Sequence, residues 1–281
     1  MISRGIQYML VATVCFAVMN VFVKLVKHIP PVEIVFFRSL VSFFMSFIML
    51  KAQNVNIWGN RKSILIARGL VGAVSLSIYF YTLQQIPLAS AITIQYLSPI
   101  FTAILGIFLL KEKVKPWQWI FFLISFLGVV VIQGFDIRVS VGLALLGLVA
   151  AFFAGLAYNF VRMLSTTEHP LVIVFYFPLV TLPLAGVYCL FDWVTPVGWD
   201  CIILLLIGVL TQIAQFYMTK AYQAEQLSKV ASVKYLGIVF ALLFGLFIFG
   251  ETFQILAYLG MGLVLLGVVL NVWYKQKVAA Q

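Results

Sequence analysis

Residues 69–110 read GLVGAVSLSIYFYTLQQIPLASAITIQYLSPIFTAILGIFLL, without a single charged side chain. The run is too long for one helical crossing of a hydrocarbon core, which takes roughly 20 apolar residues. It breaks at Gln84-Gln85-Ile86-Pro87, because a proline usually ends a helix at or before its predecessor. Two spans joined by a tight polar turn follow from that reading. The same pattern extends in both directions, with uncharged runs at 5–23, 116–135, 139–161, 170–191 and 252–274. Hydrophobic residues make up 64% of the 281, and charged residues only 9%, against about a quarter in a soluble domain. The runs do not alternate apolar and polar residues, which excludes a transmembrane β-barrel.

The expected fold class is therefore an all-α integral membrane protein with ten transmembrane helices. The spans are 5–26, 31–50, 63–84, 88–110, 116–135, 141–163, 171–191, 201–220, 229–249 and 253–274. The stretch after Arg4 resembles a signal peptide but has no small-residue cleavage site at its end, so it reads as an uncleaved first span. The net charge of +10 is not spread as for nucleic acid. With the N-terminus inside, twelve basic residues lie in cytoplasmic segments and three (Lys24, Lys27, Arg138) on the other side. Three more (Arg38, Arg68, Lys234) fall within spans. That asymmetry is the positive-inside bias, and it places both termini in the cytoplasm of a bacterial inner membrane. Cys15, Cys189 and Cys201 show no ligand spacing and read as small apolar packing residues; no metal site and no cofactor is expected.

Shifted by 139, the sequence matches itself. Asn20 falls on Asn159, Pro31 on Pro170, Gly69 on Gly208, Gln84 on Gln223, Tyr96-Leu97 on Tyr235-Leu236, and Glu112 on Glu251. No gap is needed from Asn20 to Val130, and there are more than twenty identities where this composition gives roughly ten by chance. Each half holds five spans. An odd number turns the second half over, so residues 1–137 and 138–281 are expected to form two inverted five-helix repeats with a substrate site at their interface near the midplane.

Three stretches carry a family resemblance: PPVEIVFFR opening the second span, the third and fourth spans from RGLVGAVSLSIYFY to ILGIFLLKEK, and YLGIVFALLFGLFIFGET in the ninth. They resemble the EamA family of the drug/metabolite transporter superfamily, nearest the branch with S-adenosylmethionine uptake and organic-anion carriers. The resemblance covers nearly the whole chain. It implies ten spans, transport, and a central cavity among spans 1, 3, 4, 6, 8 and 9, with 5 and 10 peripheral.

Ionisable residues within spans are the first candidates for function. Arg38 lies roughly 10 Å into the second span at 1.5 Å per residue. It either snorkels to the outer surface or faces the interior and attracts an anion, held by hydrogen bonds to polar groups of neighbouring spans and with Ser39 and Ser42 nearby on its own helix. Arg68 reads as an interfacial anchor or a second cavity cation. Lys234 has Gln95 as its repeat counterpart, which favours a cavity lining. Asn20 and Asn159 either bond helix to helix or touch substrate. Tyr79, Tyr81, Tyr96, Gln212, Gln215 and Tyr235 add polar edges and aromatic faces suited to an amphipathic small molecule. Pro99 and its counterpart region at Gly237 are candidate hinges. Glu112 and Glu251 read as helix-boundary charges favourable at the start of the following span, with proton coupling as the sharper reading.

No carboxylate sits mid-span, so the substrate is expected to be a carboxylate-bearing or zwitterionic metabolite moved by secondary transport. A carrier of S-adenosylmethionine-like or drug-like cations, an integral-membrane enzyme and a channel are the alternatives. No P-loop supplies ATP drive, and no catalytic set surrounds His28 or His169. Expected partners are the small-molecule substrate, membrane lipid, a coupling proton or counter-substrate, and a second copy of the chain in a homodimer; no nucleic acid is expected.

Overall fold

A computed structural model of the chain describes residues 4–111, 115–164, 166–224 and 233–279. Among the described residues the structure is helical, in chain order α1 (Arg4–Leu25), α2 (Pro31–Ala52), α3 (Lys62–Gln85), α4 (Leu88–Gln95), α5 (Ser98–Leu109), α6 (Pro116–Phe135), α7 (Val141–Leu164), α8 (Pro170–Cys189), α9 (Trp199–Ala224), α10 (Leu236–Phe249) and α11 (Ile255–Ala279). With α4 and α5 taken together, nine of these segments are long and apolar enough to cross a membrane. The remaining expected span, the ninth at 229–249, begins outside the described residues and is seen as the shorter apolar helix α10. Glu112 also lies outside the described residues.

The sequence explains where the helices begin. Pro31, Pro116 and Pro170 each occupy the first turn, where a missing N–H leaves nothing unsatisfied. The fourth span is not continuous. Its backbone turns at Tyr96-Leu97, and Pro99 enters the first turn of α5. By contrast, Pro178 and Pro183 are carried inside α8 without ending it, a departure from their usual effect. Gly59 and Gly198, equivalent under the 139 shift, both adopt φ of +58° in the loops before α3 and α9. Only glycine takes that left-handed conformation without strain.

The helices pack as α1 on α9, α3 on α7, α2 on α9, α3 on α8, α2 on α8, α4 on α10, and α6 on α11. Close approaches fall on glycines. A methyl group on Gly69 would lie 2.7 Å from Val180 Cβ, and one on Gly208 would lie 2.5 Å from Val41 Cβ. Gly128 and Gly260 meet where α6 crosses α11. Without a hydrophobic gain between helices in lipid, such small-residue contacts and polar bonds hold the bundle. All six tryptophans are exposed; five lie in the first turn of a helix or in a loop beside one (Trp58, Trp117, Trp119, Trp193, Trp199), and Trp273 lies in the last two turns of α11. That is where an amphipathic ring settles at a membrane–water interface.

One end of the bundle is tied by charge. Lys24 Nζ donates to Glu251 Oε1 at 2.5 Å and to the Ile86 carbonyl at 2.7 Å. Glu251 Oε2 accepts from Leu88 N at 2.8 Å. Glu251 thus caps α4 and not α11, the span that follows it in sequence. At the other end Glu168 Oε1 accepts from the backbone of Asn60 and Arg61 at the start of α3.

Candidate functional site

Four helices, α2, α3, α8 and α9, enclose a small cavity lined by Arg38, Ser42, Arg68, Phe177, Thr211, Gln212 and Gln215 among others. Its volume is about 40 Å³, room for a polar group rather than a whole metabolite. Arg38 is buried at 5% exposure, so it does not snorkel to the surface. Its Nε donates to Thr211 Oγ1 at 3.1 Å. The expected partners on its own helix are corrected here: the Ser39 and Ser42 hydroxyls make no hydrogen bond to it. The partner comes from α9.

Both guanidinium groups lie over one ring. The central carbon of Arg38 is 5.2 Å from the Phe177 centroid, and that of Arg68 is 4.7 Å. Each contact contributes about 0.5–2 kcal/mol. The two charges repel one another, and removing a charge from water without a partner costs several kcal/mol. One phenyl ring does not offset that. Arg38 Nη1 and Arg68 Nε and Nη1 are buried without an acceptor. Among the described residues the ion pairs are Lys24–Glu251, His28–Asp200 and Arg138–Asp136, none of which reaches this cavity.

Lys234 belongs to a second cluster. Its Nζ lies 5.9 Å from the Tyr96 ring centroid and 5.4 Å from that of Tyr158. Tyr96 donates through its hydroxyl to the Lys234 carbonyl at 2.7 Å and meets Tyr235 edge-on, with centroids 5.5 Å apart. Tyr79 is buried and interacts with Asn20 and Lys234. The Asn20 and Gln95 carbonyl oxygens are buried without a donor. Tyr158, which the sequence reading overlooked, belongs to this second cluster through its ring beneath the Lys234 ammonium.

The remaining candidates separate. Asn159 bonds helix to helix, donating from Nδ2 to Thr102 O and Gly155 O, each at 3.0 Å. Gln212 donates weakly to Met49 Sδ at 3.8 Å from the edge of the arginine cavity. Tyr81 is 42% exposed on the helix surface and does not join either cluster. Cys201 is exposed, not buried as its expected packing role required. Gly237 is needed for close approach, since a Cβ there would overlap the Tyr96 hydroxyl. Phe177 was the other omission. Its signal was present, because it is the repeat counterpart of Arg38.

The sequence model of the EamA-like transporter family matches residues 3–134 and again 142–273. The chain is 31% identical over 245 residues to the pseudopaline exporter of Pseudomonas aeruginosa, covering 85% of this chain and 86% of that protein. It is 25% identical over 255 residues to the S-adenosylmethionine uptake transporter of Rickettsia prowazekii, covering 88% and 85%. A solved crystal structure superposes with a TM-score of 0.64 at 17% identity, covering 98% of this chain and 97% of that one, which is a likeness of fold.

Proposed function

The chain belongs to the EamA-like transporter family, and we propose that it is a secondary active transporter that moves a small, amphipathic, carboxylate-bearing or zwitterionic metabolite by alternating access. The observation that carries this reading is the pair of guanidinium groups, Arg38 buried and Arg68 half-buried, with inward nitrogens that find no acceptor among the described residues. Acceptors of the opposite sign are what such a site lacks, and a carboxylate supplies them through charge-assisted hydrogen bonds. The aromatic faces near Lys234 do not favour a free cation, because the lysine's own ammonium already lies over Tyr96 and Tyr158.

Inverted repeats are part of the proposal, and contacts between equivalent residues support them. Arg38 lies over Phe177, Tyr96 meets Tyr235, and Ser125 Oγ donates to the Val264 carbonyl at 3.3 Å. Each pair is related by 139 residues. Residues that match and also touch lie close to a two-fold axis relating the halves, since only there does an element meet its own image. Gly69 on Val180 and Gly208 on Val41 form one contact and its image. Both polar clusters therefore sit where a repeat-interface substrate site is expected. The relatives are named for export in one case and uptake in the other, so direction does not follow from family membership. The charge asymmetry supports a cytoplasmic position for both termini, and the proposed setting is a bacterial inner membrane.

The test is uptake and efflux in vesicles reconstituted with the purified chain, against a panel of anionic, zwitterionic and cationic metabolites, with and without a pH gradient. Saturable flux of a carboxylate-bearing solute is expected. Flux confined to cations, or none alongside a hydrolytic activity, would falsify the reading.

A further inference from the structure

The geometry around Phe177 points to a narrower substrate class. We propose that Arg38 and Arg68, with Ser42 beside them, form a clamp for a doubly charged oxyanion group: one phosphoryl group, or two carboxylates held close together on one metabolite. The proposal deepens the transport reading and rests on it for the site's role.

Three observations carry it. First, the two cations share a single ring, 5.2 and 4.7 Å from its centroid, and repel each other, and neither forms an ion pair among the described residues. A single negative charge leaves one of them uncompensated. Second, the free donors outnumber what one carboxylate takes. Arg68 leaves Nε and Nη1, which face different edges of its guanidinium plane, and Arg38 leaves Nη1. A carboxylate engages one edge with two parallel bonds. The Ser42 hydroxyl, also buried and unpartnered, lines the same cavity. Third, the cavity of about 40 Å³ suits a head group alone. The rest of the substrate then lies outside this cavity.

Arginine keeps its charge across the ordinary pH range, so the preference for two charges is a property of the protein that the ligand's own titration can probe. The experiment is thermal unfolding of the purified full-length protein in detergent, titrated with phosphate, succinate, acetate and chloride at matched ionic strength near pH 8. Phosphate or succinate is expected to reach half-maximal stabilisation at a concentration about tenfold or more below that of acetate, with chloride inert. Phosphate ahead of succinate assigns a phosphoryl group, and the reverse assigns paired carboxylates. Repeating the phosphate series near pH 5.5, where phosphate carries one charge, should shrink its advantage over chloride. Arg68→Gln and Arg38→Gln should each bring the dianion-to-acetate ratio close to one, and Arg68→Lys, which keeps the charge but loses the forked donors and so serves where a glutamine variant does not fold, should give a ratio between that of the parent and one. Acetate matching both dianions, or a dianion preference that survives Arg68→Gln, overturns the proposal. Binding is read here without flux. Dianion stabilisation with no transport of any solute would sink the transport reading and leave the clamp standing. Transport of a monocarboxylate or zwitterion without dianion stabilisation would do the opposite.

Discussion

Arg38 shows how a residue's chemistry and its setting combine. Lysine would serve equally for a charge that only reaches toward the surface, but Arg38 is buried and held from a neighbouring helix by Thr211. A guanidinium offers several donors in a fixed plane, and an ammonium is a point charge on a flexible stem. Arg38→Lys should therefore keep the charge and lose the bond geometry, lowering the initial rate of anion flux by about tenfold, with Arg38→Gln lower still. Initial rates in reconstituted vesicles at matched protein content are the measurement. Equal rates for parent and both variants would reduce Arg38 to a packing residue. Position along the chain identified this arginine as a candidate. Its sharing of a ring with Arg68 could not be read from spacing, because the two lie on different helices whose rotation the sequence leaves open.

Elements in this bundle are held at glycine contacts, and those contacts occur as images of each other. Gly208 on Val41 joins α9 to α2, while Gly69 on Val180 joins α3 to α8. Gly208→Ala places a methyl group 2.5 Å from Val41 Cβ, both on helices that cannot yield locally. Overpacking of that kind costs about 1–3 kcal/mol. Its melting temperature should fall, and Val41→Ala in the same chain should recover only part of the loss, because alanine keeps the Cβ and removes just the two γ-methyls at 2.9 Å. Gly69→Ala and Val180→Ala should behave alike if the halves are structural images; rescue at one contact and not at the other would count against that symmetry. The break in the fourth span was legible from Ser98-Pro99. The persistence of α8 through Pro178 and Pro183 was not, since a membrane helix can be re-satisfied by its neighbours where a water-exposed one is not.

For the whole molecule, the tie at one end joins the two halves. Lys24 belongs to the first helix, Glu251 to the segment after α10, and Leu88 to the start of α4. Side-chain exposures of 13% and 9% mark it as a buried pair, for which loss of one partner costs about 3–5 kcal/mol. Glu251 serves two donors and Lys24 is one of them. Glu251→Ala should therefore destabilise more than Lys24→Ala, because it orphans the Leu88 N–H as well as the ammonium. Thermal unfolding in detergent checks the order, and equal losses would show that the cap on α4 contributes nothing. The same tie assigns Glu251 a task across the repeat boundary. Its sequence position had suggested the helix next to it, and charge alone does not say which N-terminus a carboxylate faces.

Composition by itself determined the class of this protein, because a chain with 9% charge has no surface to offer water. Proline placement determined five of the eleven described helix starts, and the 139-residue shift paired several positions that touch. Only the tertiary structure decided which polar side chains meet. In a soluble helix one apolar stripe marks the inward face, so rotation is written in the sequence. Here lipid and helix neighbours are equally apolar, and the pattern does not distinguish them. Tyr79 and Tyr81 illustrate the consequence: two residues apart and alike in composition, one is buried against Asn20 and Lys234 and the other is exposed. Rotation of each helix is set by glycine contacts and a few polar bonds between distant segments. The gathering of Arg38, Arg68 and Phe177 into one cavity exists only once those contacts form.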